Sequence, residues 1–404
     1  MSYWYDSIRI LGAAFTDTPI KVPVSAQFPG HVCKMAKISF DKVFTNPLTL
    51  IEISLLLTEY YGITVAEPQW DVYNIEPESI GQKIKYFPNH IPDIDRSDYV
   101  IQDKNDIDKI RFNGLYAGRF SKLVDSYKLA KDYTGLPRTG LVASSPFCTA
   151  CNIYGYENLI ASIASDPKFV HEMLRSICDN LMIPYIRDLK NQFPEAQNVI
   201  LADAWASIPL INMKIMNNFV VPYVQYLNDN LKIPGFIAMS AGNWGDTYLK
   251  NPMDLVEARL KMTMNTCLLA LDPDVNIIGP EFFKNVSDKH SIPLQIGFDA
   301  SLLEKGPVSE IIARVKRYIK AGASGGKFIL FLNNINADTP PEHVHAFIAA
   351  VNAYGKYPIP EHFDSVEVKI PKRESFESFV KMKINDNIEG YTFLWLKDSG
   401  LYKT

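Results

Sequence analysis

The chain has 404 residues, of which 47% are hydrophobic and 21% are charged, a composition that supports a large buried core and excludes disordered, collagen-like and coiled-coil chains. The 41 basic and 45 acidic residues give a net charge of -4, and no run of Lys or Arg is present, so nucleic acid is not expected as a partner. The first residues lack a secretion signal and no apolar stretch reaches the length of a membrane span, so we expect a cytoplasmic protein.

From Pro47 onwards the sequence alternates between amphipathic helices and short apolar strands. The first helix begins after Asn46-Pro47 and is stopped by Gly62. The later predicted helices are Tyr156–Ile163, Lys168–Leu189, Met213–Leu231, Pro252–Leu269, Val308–Ala321 and Glu342–Val351. The predicted strands are Ile63–Trp70, Gly140–Ser145, Asn198–Ala204, Gly235–Ala241, Asn276–Glu281, Leu294–Phe298 and Phe328–Leu332.

The strand pattern indicates an α/β fold with a parallel sheet, because nearly continuous apolar runs are typical of strands covered on both faces. Neither a G-x-G-x-x-G loop nor a Walker A motif is present, which argues against a nucleotide-binding doubly wound sheet. We therefore predict a (β/α)8 TIM barrel over residues 1–360. Residues 361–404 would form a C-terminal extension packed on the barrel, with strand-like runs at Ser365–Ile370 and Tyr391–Trp395.

Polar side chains follow most of the predicted strands. These residues are Asp71, Asp203, Asn243, Glu281, Asp299 and the pair Asn333-Asn334. The carboxyl ends of barrel strands converge on one mouth, so the groups would face a common cavity. Each could instead cap the helix that follows it. Trp205 and Trp244 lie beside them in sequence and could offer ring faces to a planar ligand.

The cysteines are an odd and scattered set, which is typical of reduced thiols rather than of a disulfide framework. They occupy positions 33, 148, 151, 178 and 267. Cys148 and Cys151 form a C-x-x-C pair without a second such pair, at the start of a predicted helix. Ordinary packing is therefore favoured over a redox or metal role.

Several motifs, in order and spacing, resemble the uroporphyrinogen decarboxylase superfamily. The residues that carry the resemblance are Asn46-Pro47 to Asp71, Glu78–Phe87 with the E-x-x-G start Glu78-Ser-Ile-Gly81, Ser145-Pro-Phe147, Ala202–Ser207 with Pro222-Tyr223, and Asp338–Glu342. Together they cover roughly residues 23–351. The family fold is a (β/α)8 barrel, so the resemblance implies the architecture that the periodicity predicts.

The family contains decarboxylases and corrinoid-dependent methyltransferases, and departures from its motifs bear on which of the two this chain resembles. Decarboxylases carry an arginine-rich R-Q-A-G-R-Y motif suited to the carboxylates of a porphyrinogen, whereas this chain has Gln27 and His31 there. Family Tyr and His positions fall near Asn152 and Asn333. Asp71 alone keeps a decarboxylase position, so the resemblance implies that porphyrinogen decarboxylation is disfavoured.

The methyltransferase branch is more similar in Ala202–Ser207 and Ile278-Gly-Pro-Glu281. Its thiol-activating members bind zinc through H-x-C-G and a later cysteine, because zinc lowers the pKa of the thiol. Here those positions read Met239-Ser-Ala-Gly242 and, approximately, Asn333. Unless zinc is held elsewhere, the resemblance implies a methyl donor that is not a thiol.

Our leading hypothesis is an O-demethylase-type methyltransferase. It would move a methyl group from a methoxylated small molecule, with an aromatic ether favoured, to the cobalt of a partner corrinoid (cobalamin) protein. An acid or a metal would assist the leaving oxygen, and the catalytic candidates are Asp71, Glu281 and His31. The substrate-binding candidates are Trp205, Asp203, Asn243, Trp244, Asp299 and Asn333. Weak candidates for a zinc site are Glu67, Asp71, His31, His90, Glu281 and Asp299.

Other functions remain open at the level of sequence. Methyl transfer could run from a methylcorrinoid to an acceptor such as coenzyme M, or the chain could be a decarboxylase. It could also be a barrel without catalysis that binds a tetrapyrrole. His31 and Trp205 also have structural interpretations, as a hydrogen-bonded loop histidine and a core side chain. Oligomers are compatible with the sequence.

Overall fold

The computed structural model describes residues 3–66 and 71–385, and parallel strands form its centre. The strands are β1 Val24–Ala26, β2 Val65–Ala66, β3 Gly140–Ser144, β4 Asn198–Ala202, β5 Ile237–Ala241, β6 Leu268–Leu271, β7 Leu294–Phe298 and β8 Phe328–Leu332. Parallel ladders join them in two arcs, β3-β4-β5 and β2-β1-β8-β7-β6. The arcs follow chain order around a ring, so the predicted (β/α)8 barrel is confirmed.

Helices cover the outside of the strands. The α-helices are Tyr3–Thr16, His31–Ala36, Phe40–Thr45, Pro47–Tyr61, Val72–Ser79, Phe120–Thr134, Pro146–Tyr154, Tyr156–Ser165, Pro167–Ser176, Ile183–Gln192, Met213–Ile215, Val221–Leu231, Met253–Met262, Asp274–Ile278, Pro280–His290, Ala300–Lys305, Val308–Gly322, Pro341–Tyr354 and Phe376–Asn385. Two π-helical turns, Ile177–Met182 and Met216–Val220, each lie between consecutive helices of this series. A short antiparallel ribbon pairs Ile84–Lys85 with Asp93–Ile94 between β2 and β3.

The predicted helix after Asn46 shows how local sequence sets helix limits. The Asn46 side chain accepts a hydrogen bond from the Thr49 amide at 3.4 Å, and Pro47 occupies the first turn, where its missing N–H costs no hydrogen bond. Gly62 ends the helix with a φ of 76°, a left-handed conformation that glycine adopts without strain. The predicted start and stop are confirmed.

One strand prediction is wrong. Asn276–Glu281 forms no strand, because the segment divides at Gly279 into the helices Asp274–Ile278 and Pro280–His290. The strand of this unit is β6, which the sequence pattern had included in the helix Pro252–Leu269. That helix ends at Met262, since the chain turns through the left-handed residues Met264 and Asn265 without a glycine or proline to signal the turn.

Residues alternate between the two faces of the barrel wall. On β6 and β8, Leu268, Ala270 and Leu330 belong to the main apolar core beneath the helices. The intervening Leu269, Leu271 and Phe331 form a separate cluster with Ala241 and Trp244. Because successive strand side chains point to opposite faces, this second cluster is the lining of the barrel interior.

The C-terminal segment packs on the outside of the barrel. Val366 and Val368 contact the main core, but the predicted strand-like run Ser365–Ile370 pairs with no strand in the described chain. The run Tyr391–Trp395 lies outside the described residues. Helix Phe376–Asn385 packs against Pro47–Tyr61, where the Phe376 and Tyr60 rings are 5.4 Å apart and Lys383 forms an ion pair with Glu59 at 2.9 Å.

Within the residues that the structure describes, no helix is long and apolar enough to cross a membrane.

Packing of helix Pro341–Tyr354 on β7 generates a stability prediction. Phe347 is fully buried and meets Phe298 edge to face at 4.9 Å. We expect Phe347→Ala to lower the free energy of unfolding by about 3–5 kcal/mol, since the lost transfer energy and the new cavity add. The matched control Phe15→Ala removes a ring that is exposed and should change it by less than about 0.5 kcal/mol. Urea unfolding followed by circular dichroism measures both; equal losses would contradict this account of the core.

Candidate active site in the barrel mouth

Solvent reaches the inner wall of the barrel. Ile200 and Ala202 on β4, Met239 and Ala241 on β5, and Gln295 on β7 are half-buried rather than closed off. In a barrel filled by side chains these positions would be fully buried. The interior therefore offers room for a small ligand.

An apolar floor lies under the mouth beside Trp244. The indole of Trp244 packs on the inner cluster that contains Leu271 and Phe331. Leu271 also lies against Gly297, where a Cβ would collide with the Leu271 side chain and lie 3.5 Å from the Cβ of Asn333. Trp244 and Asn333 therefore both lie near the cluster that contains Leu271.

Trp205 already has an aromatic ring and a cation as neighbours. Its ring stacks on Tyr156 at 5.2 Å, and the guanidinium of Arg96 lies 5.8 Å from its centroid. The indole also packs against the main core. Trp244 is therefore the better candidate to contact a planar ligand.

Asp71 is the centre of a charged cluster at the start of helix Val72–Ser79. Arg119 donates to its carboxyl from Nη1, and Asn74 donates from Nδ2 at 2.5 Å. The same guanidinium contacts Glu78, with Nε 3.1 Å from Oε2, and donates to the hydroxyl of Tyr86. Both partners of the Asp71–Arg119 pair are nearly buried, with side-chain exposures of 6% and 3%.

Burial raises the pKa of Asp71 to about 7, although Arg119 and Asn74 favour the charged form. Removing water disfavours a carboxylate more than these donors stabilise it here. The group is therefore poised to hold or release a proton near neutral pH. Helix Val72–Ser79 stays close to the β4 end, because the amide of Ala204 donates to the Tyr73 hydroxyl at 3.4 Å.

Asp203 joins two strands and a helix behind the barrel wall. It is fully buried, and its carboxyl accepts hydrogen bonds from Ser145 at 2.5 Å and Ser240 at 2.6 Å, with the Cys148 thiol 3.5 Å away. Since Ala202 faces inward, the next residue faces outward. The expectation that Asp203 faces the mouth is wrong, and its pKa is raised by burial.

Asn243 and Asp299 also have local structural partners. Asn243 is buried, and its Oδ1 accepts from Arg259 at 3.4 Å. Asp299 caps helix Ala300–Lys305 by accepting from the amides of Ser301 and Leu302. Asp299 therefore caps the helix that follows its strand, which is the alternative to a position in the common cavity.

The remaining acid, base and metal candidates are spread over the molecule. His31 is buried at the start of helix His31–Ala36, with Nε2 2.7 Å from the Tyr61 hydroxyl, and burial lowers its pKa to about 4. His90 is exposed. Glu281 is exposed in the first turn of Pro280–His290, so the expectation that it ends a strand is wrong. Glu67 lies outside the described residues.

The donor set does not fit a zinc ion. At the positions where the resemblance puts soft ligands, the inner wall has Met239 and Ala241, with Asn333 at the end of β8. The Met239 sulfur accepts a hydrogen bond from Thr266 at 3.1 Å, and neither an alanine nor an amide replaces a thiolate. In residues 3–66 and 71–385, no three His, Cys, Asp or Glu side chains come together as a metal site.

Sequence reasoning missed Arg119, Asn74 and Tyr86. Arg119 lies 48 residues from Asp71, outside every motif quoted above, and no spacing relates the two. Tyr86 does lie in the segment that follows the resembling Glu78-Ser-Ile-Gly81. Only the fold shows that these side chains meet.

Substitution of Arg119 tests the electrostatic balance at Asp71. Arg119→Met removes the opposite charge, so the pKa of Asp71 should rise by about 1 to 3 pH units. Asp93→Asn removes a like charge that raises the pKa of Asp71, so it should shift it slightly the other way. Carboxyl ¹³C NMR of Asp-labelled protein, assigned with Asp71→Asn, measures both. Shifts of the same sign would contradict the balance.

Comparison with known proteins places the chain within a family. The model of the uroporphyrinogen decarboxylase (URO-D) family matches residues 7–354. A methylated-thiol–coenzyme M methyltransferase of Methanosarcina mazei is 25% identical over 227 residues, and the alignment spans 56% of this chain and 59% of that relative. A solved methyltransferase structure from Methanosarcina mazei has the same fold, with a TM-score of 0.68 and 17% identity over 86% of this chain and 98% of that one. The chain belongs to the uroporphyrinogen decarboxylase family.

Proposed function

We propose that the protein transfers a methyl group from a methoxylated aromatic small molecule to the cobalt of a partner corrinoid protein. The observation that carries the proposal is the buried carboxyl of Asp71, whose pKa lies at about 7. A general acid works best when its pKa is near the working pH. Breaking an aryl ether is a reaction that needs such an acid, because a phenolate is a poor leaving group until its charge is taken up.

The proposed step balances with the groups named. The O–CH3 bond of the ether breaks, and its electron pair stays on the oxygen. Co(I) in the partner supplies the electron pair of the new Co–CH3 bond. Asp71 gives its proton to the leaving oxygen, and the product phenol departs. Arg119 then faces the Asp71 carboxylate and stabilises it until solvent returns the proton.

The inner wall supports an ether as the methyl donor. Met239, Ala241 and Asn333 provide no thiolate or imidazole to hold a zinc ion, so thiol activation lacks its usual basis here. Trp244, Leu271 and Phe331 form an apolar surface suited to a ring. This combination favours an uncharged aromatic ether over a thiol.

The relatives support methyl transfer and also favour one rival. The curated relative's name describes transfer from a methylated thiol to coenzyme M, so transfer toward an acceptor is the second candidate. The two directions give opposite spectroscopic results. Ether cleavage forms methylcobalamin, whereas acceptor methylation consumes it.

A direct assay tests the proposal. The purified protein is mixed with a set of methoxyarenes and a corrinoid protein reduced to Co(I), and methylcobalamin absorbance is followed. Ether-dependent formation is expected. If no ether forms methylcobalamin and an acceptor consumes it, the assigned direction of transfer is reversed. If methylcobalamin is neither formed nor consumed, both directions of transfer are excluded.

The acid role of Asp71 predicts a specific pH profile. The rate constant for transfer should be constant below about pH 7 and fall about tenfold per pH unit above it, because only the protonated form can donate. Asp71→Asn should lower kcat by about 10²-fold or more and remove this dependence, with a smaller change in KM. The control Asp364→Asn alters an exposed surface carboxyl and should keep the wild-type profile. An unchanged profile in Asp71→Asn would rule out the acid role.

Exposed apolar side chains lie in connections that follow the strands, at the end of the barrel where the mouth opens, and a partner protein could dock there. We call these side chains the rim; they are Tyr86, Tyr116, Leu210, Tyr248 and Ile277. The rings of Tyr248 and Trp244 are 6.3 Å apart, so the rim extends into the mouth. Such patches commonly bind protein partners.

One pair of isoleucines tests the rim. Ile277 follows β6 at the mouth and is 65% exposed, whereas Ile20 precedes β1 at the opposite end and is 62% exposed. Ile277→Glu should raise KM for the corrinoid protein about tenfold, because it puts a charge in an apolar contact, and should leave binding of the aromatic ether unchanged. Ile20→Glu should change neither. Equal effects of the two substitutions would contradict docking at the rim.

A further inference from the structure

A second cavity lies outside the barrel, beneath the C-terminal segment. It has a volume of about 330 Å³ and is enclosed by helix Pro47–Tyr61, helix Pro341–Tyr354 and residues 367–373. This volume falls in the range of pockets that hold small molecules. The cavity is separate from the inner wall of the barrel, since its lining shares no residue with the strands.

A buried imidazole without a partner faces this cavity. His345 is 6% exposed, and its Nε2 has no hydrogen-bond partner. Its ring packs between those of Tyr60 and Tyr61, each 5.0 Å away. An unsatisfied buried polar nitrogen costs free energy, so a ligand in the cavity that bonded to this imidazole would remove that cost.

The charges around the cavity specify the sign of that group. Arg373, Lys369 and the carboxylate of Glu367 line it from the C-terminal segment. Lys369 is paired with the exposed Glu367 at 3.3 Å, whereas Arg373 forms no ion pair among the described residues. Burial and Arg373 lower the pKa of His345 to about 4, against the opposing charge of Glu342. The imidazole is therefore a neutral donor or acceptor, and the free positive charge is on Arg373.

Helix Pro341–Tyr354 contributes apolar side chains to the wall beside the polar Asn352. Ile348, Ala349 and Ala353 project from one face of helix Pro341–Tyr354 into the cavity. An inorganic anion would leave these side chains uncovered. An organic anion with a small apolar body would contact them and place its charge at Arg373.

We propose that this cavity binds a small organic carboxylate. The carboxylate pairs with the guanidinium of Arg373, whose planar fork matches two carboxylate oxygens, and accepts a hydrogen bond from the imidazole of His345. The apolar body of the ligand packs on Ile348, Ala349 and Ala353. The site is independent of the proposed methyl transfer, because its residues do not line the mouth.

Binding to the full chain tests the proposal without any assay of activity. The probes are benzoate, its uncharged isostere benzamide, and inorganic phosphate, measured by isothermal titration calorimetry. Saturable binding of benzoate is expected, with benzamide and phosphate at least about tenfold weaker, since each lacks either the charge or the apolar body. Failure of benzoate to bind, or equal affinity for either of the other probes, would overturn the assignment.

Variants locate the binding. Arg373→Gln and His345→Gln should each weaken benzoate about tenfold or more, while Lys372→Gln, an exposed neighbour that does not line the cavity, should bind as wild type. Arg373 is exposed, so its variant should also keep the wild-type Tm. A perturbed imidazole ¹⁵N signal of His345 on addition of benzoate would place the ligand beside Nε2. Unchanged affinity in Arg373→Gln would refute the site.

Discussion

Alternation along the barrel strands is the constraint on which both the fold and the site depend. Outward residues such as Leu268, Ala270 and Leu330 pack beneath the helices and provide the apolar burial that holds the barrel together. Inward residues near the mouth bury less and contact solvent. Inward and outward residues alternate along each strand, but they pack in different clusters. The inward residues can therefore change while the outward residues keep the fold.

That separation explains how the ligand positions of the resembling thiol-activating proteins can be lost here. Met239 and Ala241 are inward residues of β5. Ala238 of the same strand faces outward and is fully buried in the main core. Substituting the inward pair leaves the contact with the helices intact. The inner wall then becomes apolar, which changes the kind of ligand it accepts without changing the architecture.

Asp71 owes its chemical character to its position as much as to its residue type. Helix Val72–Ser79 also carries Glu76, and burial raises the pKa of both carboxyls to about 7. Glu76 is fully buried and accepts a hydrogen bond from the amide of Ser144 at 3.1 Å. Asp71, at the helix start, faces a guanidinium instead. Of these two carboxyls, Asp71 is the one that also has a paired cation to stabilise its charged form.

The sequence predicted the elements whose ends have a local chemical signal. Asn46 and Gly62 define a helix through their own side chain and backbone, and apolar runs define β7 and β8. The sequence pattern misses β6 because its preceding turn uses Met264 and Asn265 in left-handed conformations; Asn adopts this conformation more readily than most residues, but Met gives no such signal. The same error affects Glu281, which the pattern predicts at a strand end and which lies in a helix.

The candidate site was less predictable because it depends on contacts between distant segments. Asp71 and Trp244 follow strands and could be selected for that reason. Arg119 belongs to another segment and meets Asp71 only in the folded chain. Asp203 also follows a strand, but a one-residue step along β4 turns it away from the mouth and towards Ser145 and Ser240. A residue that directly follows a strand therefore lies at the mouth end of the barrel. Its position in the sequence does not show whether its side chain faces the interior or the helices.

Family membership and activity consequently depend on different residues. The URO-D match spans residues 7–354 and so covers all eight strands of the barrel. A shared barrel supports many reactions, so the reaction must be inferred from the mouth. There, Met239, Ala241 and Asn333 provide no thiolate or imidazole for zinc, and the buried carboxyl of Asp71 is the acid of the proposed reaction. These two features are the basis on which we propose cleavage of an ether.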